Sequence, residues 1–354
     1  MVSSASRIIY RLEAIVQHDE GGRGLKGLIQ PAGELEMAAR ALQRASSPIA
    51  ILTGFPCLLE HTPPTETDGP PGALAIIRAC IGLGKTCILL TDQCNAAVIQ
   101  AAVAADSPYI SASLQIEIFP AKSEWTDVEI CRLRRLGCEV GFVVAIERAG
   151  PARDGHYYTM RGRCMDTFVA PLEQLMSLTR PAIESLGIGD GGNELGMGKA
   201  WERIVGSASI PHASRIACVT ATTWLLAASV SNWGGYALSC ALAVVAAEIE
   251  EKETGPRAGS FTSEGDGVGP WKAGTDPDQW QARRNEWVDR LVPSEAQAWS
   301  TLDGMVAAGA RDGITGERTT SVDGMPGAVS LQMLRRLRET AREHVELTEE
   351  RSEV

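Results

Sequence analysis

Two glycine-rich segments hold most of the side chains in this sequence that could do chemistry. In TPPTETDGPPGA (Thr62 to Ala73), four prolines stiffen the backbone and glycines allow close approach. Thr65, Glu66, Thr67, Asp68 and Gly69 lie between them. An Asp–Gly pair ahead of a helix can aim backbone N–H groups at an anion, while Glu66 and Asp68 can bind an amine or a metal ion. In GIGDGGNELGMG (Gly187 to Gly198), six glycines bracket Asp190, Asn193 and Glu194. Asp190 and Glu194 offer hard oxygen ligands suited to Mg²⁺ or Mn²⁺. The last spacing departs from G-x-G-x-x-G, so a dinucleotide fingerprint has little support.

Smaller groups follow. IERAG supplies Glu147 and Arg148, either a surface ion pair or a planar fork for a substrate carboxylate. HYYTMRGR adds Tyr157, Tyr158, Arg161 and Arg163, a set that suits a small anionic ligand or a solvated hairpin. SNWGGYAL contributes Asn232, read as a helix N-cap or a site edge. His61 and His156 are candidate bases, and Cys57 is a nucleophile without an assignable histidine partner. GLGKT (Gly82 to Thr86) lacks the earlier glycine of a phosphate-binding loop and follows a helix, so it reads as a helix C-cap.

These residues need a scaffold. PIAILTGF, TCILLTD, LQIEIFP and CEVGFVVAIERAG read as four buried strands, separated by the helical runs ALAIIRACIGLG, QCNAAVIQAAVAAD and DVEICRLRRLG. That alternation predicts an α/β fold, a mostly parallel sheet flanked by helices in the Rossmann-like, doubly wound manner. Ligands in such sheets bind beyond the carboxyl ends of the strands, where the polar candidates fall. Further on, residues 171–187 read as helical, IACVTATTWLLAASVSN as one or two strands and GYALSCALAVVAAEIEEK as a buried helix. The expected organisation is an N-terminal helical segment (1–46), a domain over 47–250 and a polar mobile insertion (251–293). Residues 294–354 then complete the domain with a terminal helix. The insertion carries Trp271, Trp280 and Trp287, which can pack it onto the body.

The 354 residues are 44% hydrophobic, enough for a sizeable core, and the net charge of −11 argues against a nucleic-acid partner. No apolar run reaches membrane-spanning length. Nine scattered cysteines without a C-x-x-C pair fit reduced thiols in the cytoplasm or mitochondrial matrix. Arg7 and Arg11 are accompanied by Glu13, Asp19 and Glu20, which do not suit a strong transit peptide.

Taken in order, TGFPC…PPTETDGPPGA, IERAG…YYTMRGR, GIGDGGNELGMG, SNWGGYAL and DGITGE…SVDG resemble the C-terminal domain of the D-glutamate cyclase family, from about Ile49 to Asp323. The resemblance implies a carbon–oxygen lyase (a hydro-lyase) that converts D-glutamate to 5-oxo-D-proline, in animals within mitochondria. It implies an acidic amino acid as the small-molecule partner. The family's N-terminal portion has no counterpart here, and Thr223 stands where similar sequences tend to carry an acidic residue. On this reading Arg148 or Arg161 takes the α-carboxylate and Glu66 or Asp68 lies near the ammonium. Asp190, Asn193 and Glu194 then form the centre that polarises the γ-carboxylate, with Mg²⁺ or Mn²⁺ as the candidate ion. Two alternatives are a non-catalytic ligand-binding homologue and a phosphate or nucleotide enzyme using the glycine turns as anion nests.

Overall fold

The computed structural model describes residues 3–19, 30–177, 183–254 and 277–343. Its strands are β1 (Ile49–Gly54), β2 (Cys87–Asp92), β3 (Leu114–Phe119), β4 (Phe142–Arg148), β5 (Ser185–Gly189) and β6 (Trp224–Ala227). They form one sheet in the order β3-β2-β1-β4-β5-β6, with every pairing parallel. This doubly wound order reverses between β1 and β4, so a crevice opens beyond their carboxyl ends. Every position of β1, β2, β4 and β5 is buried, as a sheet covered on both faces requires.

The helices are α1 (Ser4–Val16), α2 (Glu34–Arg44), α3 (Pro70–Gly82), α4 (Ala96–Asp106), α5 (Pro108–Ser113), α6 (Asp127–Glu139) and α7 (Gln174–Ser177). They continue as α8 (Trp201–Val205), α9 (Ala213–Ile216), α10 (Ser231–Thr254), α11 (Pro277–Leu291), α12 (Glu295–Ala307) and α13 (Gly327–Arg342). The strand period of two sorts the core. Ile49 and Ile51 face a large cluster with Ile76 of α3, Leu242 of α10 and Leu334 of α13. Ala50 and Leu52 face the opposite layer with Leu133 and Leu136 of α6. Helices α3 and α10 touch backbone to backbone, since a Cβ on Gly235 would lie 2.6 Å from the Gly72 Cα. Glycine at both positions brings the two N-termini together beside the crevice.

Several expectations need correction. Of residues 171–187, read as helical, the described helix is only α7, and Ser185–Gly189 is a central strand. Gly187 and Gly189 hid it, because glycine is poor in strands. A Cβ on Gly187 would stand 2.7 Å from the Leu195 carbonyl oxygen, so the site loop packs directly on that strand. Residues 251–293, read as a mobile insertion, include the end of α10 and all of α11, whose Val288 and Leu291 join the main core. Trp287 donates its indole N–H to Glu250 at 2.7 Å. Trp271 lies outside the described residues. Helices α1 and α2 of the N-terminal segment add Ile8, Leu12, Leu35 and Leu42 to the same core. GLGKT ends α3 as a cap, with Lys85 donating to the Ala45 carbonyl at 2.6 Å.

Candidate active site

The loop after β1 passes over the crevice and returns into α3 carrying Glu66 and Asp68. Pro70 and Pro71 occupy the first helical positions, where a missing N–H costs nothing. The next donor, Gly72 N–H, goes to the Asn232 side-chain oxygen at 2.9 Å, as does Gly69 N–H at 3.0 Å. Asp68 in turn accepts from Ser231 N–H and Asn232 N–H, both at 2.8 Å, and so caps α10. Ser231 also donates its hydroxyl to Glu147 at 2.6 Å. Two helix N-termini therefore face the crevice with their N–H groups already taken by protein side chains. The expectation that this loop offers N–H groups to an anion is overturned.

The GIGDGG turn behaves alike. Glu194 folds back so that one carboxylate oxygen accepts from Asp190 and Gly191 N–H at 3.0 and 2.5 Å, and the other from Gly192 N–H at 2.6 Å. The nest is filled by the chain's own carboxylate, which removes the physical basis for the phosphate or nucleotide alternative. Asn193 donates to the Tyr158 carbonyl at 2.7 Å and ties the following hairpin to the turn.

These elements enclose a cavity of about 290 Å³, lined by Glu66, Glu147, Asp190, Asn193 and Glu194 together with Cys57, Arg161, Gly313 and Asp323. That volume suits a ligand of about ten heavy atoms rather than a nucleotide. Burial, then the Asp68 and Asp190 charges, pushes the Glu66 carboxyl well above the usual range. Burial and the neighbouring acids, Asp190 first, do the same to Glu147. Burial and Asp190 raise Glu194 to about 7 despite its backbone donors. Carboxyl oxygens of Asp68, Glu147 and Asp190 all lie within 4.8 Å of one another, and all three residues are buried. A concentration of negative charge like this favours protons, an ammonium group or a hard divalent cation. Glu147 and Asp323 both adopt positive φ, 39° and 54°, so backbone strain sits at the cavity wall.

The profile of the family described as D-glutamate cyclase-like, C-terminal, matches residues 12–338. The chain belongs to the D-glutamate cyclase-like family. It is 35% identical over 331 residues, 91% of its length, to the mitochondrial D-glutamate cyclase of Homo sapiens. That alignment covers 50% of the human protein, so the chain spans about half the length of the relative it matches.

Within this D-glutamate cyclase-like chain the expected residues divide. Glu66, Glu147, Asp190, Asn193 and Glu194 line the cavity, Asp68 lies beside that lining against Glu147 and Asp190, and Arg161 stands at the mouth, where it donates to the Ile314 carbonyl at 3.3 Å. Arg148 does not. It is 1% exposed, paired with Asp92 and donating to the Ala170 carbonyl at 2.6 Å, so its fork is spent inside the fold. Thr65 donates to Asn95 at 2.6 Å and Thr67 to the Ser321 carbonyl at 2.7 Å, so both anchor the loop. Gly69 and Asn232 serve the helix caps. Tyr158 donates to Asp154 at 2.6 Å, outside the cavity lining. His61 and His156 also lie outside that lining, which removes them as bases there. Cys57 lines the cavity, but burial and Glu66 push its thiol well up, so it is no thiolate nucleophile. The carboxylate trio contains Asp190 of the expected pair, while Glu194 stands in the same cavity with both oxygens accepting backbone N–H groups. Thr223 is remote, accepting from Ser185 N–H at 3.0 Å beside β6, so its departure from acidic character does not reach the cavity. Gly313 and Asp323 went unassigned, although both lie in the late DGITGE and SVDG motifs.

Proposed function

We propose that this chain closes D-glutamate into 5-oxo-D-proline with release of water, as a carbon–oxygen lyase. The observation that carries the reading is a small cavity walled by buried carboxyls of raised pKa, in a chain related to a D-glutamate cyclase. Ring closure needs the α-ammonium to lose a proton. The neutral nitrogen then attacks the γ-carboxyl carbon, a C–N bond forms, and a C–O bond breaks as the oxygen leaves in water. Glu66 in its ionised form, a stronger base for its raised pKa, takes the two protons that nitrogen loses in turn and passes both to the departing oxygen, which leaves as water. Arg161 holds the α-carboxylate at the mouth.

The two carboxylates of the substrate meet repulsion in an acidic cavity, and three buried carboxylates with converging oxygens fit a hard divalent ion. Asp68, Glu147 and Asp190 would hold Mg²⁺ or Mn²⁺, which when bound supplies Lewis acidity toward a carboxylate oxygen. All nine cysteines are free thiols, which supports a reducing compartment, the cytoplasm or the mitochondrial matrix. No helix among the described residues is long and apolar enough to cross a membrane.

The test is incubation of the purified chain with D- or L-glutamate, with and without Mn²⁺ or Mg²⁺, followed by proton NMR. 5-Oxoproline from D-glutamate, lost in Asp190→Asn with the fold intact, is the expected result. The alternative is a binding protein that holds the same amino acid without turnover. Thermal stabilisation by D-glutamate with no product under any condition would replace the cyclase reading with that one.

A further inference from the structure

We propose that the chain carries a second, chemically distinct site, formed by His156, Cys164 and Asp166, for a borderline divalent ion of the Zn²⁺ class. A ring nitrogen of His156, the Cys164 Sγ and a carboxylate oxygen of Asp166 lie within 4.8 Å of one another. Ligand atoms around a tetrahedral zinc sit roughly 3.5 Å apart, given bonds of about 2.0–2.3 Å, so small rotamer changes complete the site. Nitrogen, sulfur and oxygen donors together select a borderline transition ion, whereas the cavity offers the carboxylate oxygens preferred by Mg²⁺ and Mn²⁺.

The backbone places these side chains in advance. Tyr158 and Cys164 bridge antiparallel, while Thr159 N–H donates to the Arg163 carbonyl at 2.9 Å and Met165 N–H to the Tyr157 carbonyl at 2.8 Å. One oxygen of Asp166 accepts from Tyr157 N–H at 2.9 Å, which leaves the other facing His156 Nδ1 at 2.5 Å. The carboxylate is thus oriented by the chain itself, as ligating carboxylates commonly are. The His156 side chain is 51% exposed, that of Asp166 23%, and Cys164 is exposed, so an ion can enter and retain water in its remaining position. Binding releases the thiol proton to solvent, with no change of oxidation state. The same hairpin delivers Thr159, Met160 and Arg161 to the cavity, so an ion at its base pins its two arms together.

Co²⁺ titrated into the reduced full-length chain reads out the site without reference to turnover. A thiolate-to-cobalt charge-transfer band in the near ultraviolet is expected to saturate at one equivalent and to be displaced by Zn²⁺. Cys164→Ser should abolish it, His156→Ala should weaken Co²⁺ binding tenfold or more, and Asp190→Asn should leave it in place. Exposed side chains can be replaced without unfolding, and circular dichroism of each variant checks this. A chain that gives no band, or a band surviving Cys164→Ser on the exposed Cys131 or Cys138, overturns the proposal. So does a band lost in Asp190→Asn.

Discussion

Asp68 and Asn232 cap each other's helices. Asp68, just before α3, accepts from the first N–H groups of α10, and Asn232, in the first turn of α10, accepts from Gly69 and Gly72 N–H at the start of α3. The exchange locks the loop after β1 to the end of β6 and sets the Asp68 carboxylate beside Glu147 and Asp190. A capping device thereby places an acid against two residues of the cavity wall.

Asn232→Ala leaves the buried Gly72 N–H without its acceptor and the Thr67 carbonyl without its side-chain donor, while Gly69 N–H keeps Asp68. Each such loss costs about 1–3 kcal/mol, so the urea midpoint should fall markedly while secondary structure is retained. Turnover should fall as well, because the loop that carries Glu66 and Asp68 loses its side-chain ties to α10. A variant as stable as wild type would show that the cross-cap contributes nothing.

Arg148→Lys separates a structural arginine from a substrate-binding one. The lysine cannot reproduce the bidentate contact with Asp92 or the bond to Ala170, and a broken buried pair costs about 3–5 kcal/mol. We expect a large drop in Tm with KM for D-glutamate unchanged in the folded fraction. A selective rise in KM at constant Tm would return Arg148 to the substrate.

Gly313 faces Glu66 so closely that an added Cβ would lie 2.0 Å from its carboxylate oxygen. Gly313→Ala therefore forces the carboxylate aside, and kcat should fall on the order of 10²-fold, the range of a general base. The shorter acid in Gly313→Ala/Glu66→Asp makes room for the methyl and should restore part of the rate. Wild-type kcat in the single variant would remove Glu66 from its role.

Stability should decline as pH rises through the neutral range when no divalent ion is present. Glu194 titrates near 7 in the native chain, against 4.5 as its ordinary value, and Glu66 and Glu147 are raised by burial and neighbouring acids. The native state thus holds protons that the unfolded chain has released. The stabilisation is complete below about 4.5 and is lost as pH passes the native value, by up to about 1.4 kcal/mol per pH unit for each group. Urea midpoints measured from pH 5 to 8 should fall in wild type and fall less steeply in Glu194→Gln. Equal slopes would show that Glu194 is not raised.

The sequence by itself determined the α/β class, the first four strands and the segments that reach the cavity. Continuous apolar runs between helical periods can be satisfied only by a sheet buried on both faces. It also marked Glu66, Asp68, Asp190 and Glu194, because acids among glycines and prolines cannot belong to regular core structure. Tertiary structure alone decided their duties. Whether Arg148 meets a substrate or Asp92 depends on β2 and β4 flanking β1, so that residues 56 positions apart meet across its end. Strand β5 stayed hidden because Gly187 answers to Leu195 and Gly196 and Gly189 to Glu194 and Met197, contacts invisible to a local pattern. The reciprocal caps of Asp68 and Asn232 required α3 and α10 to cross at Gly72 and Gly235, a proximity of distant segments that only the packed sheet creates.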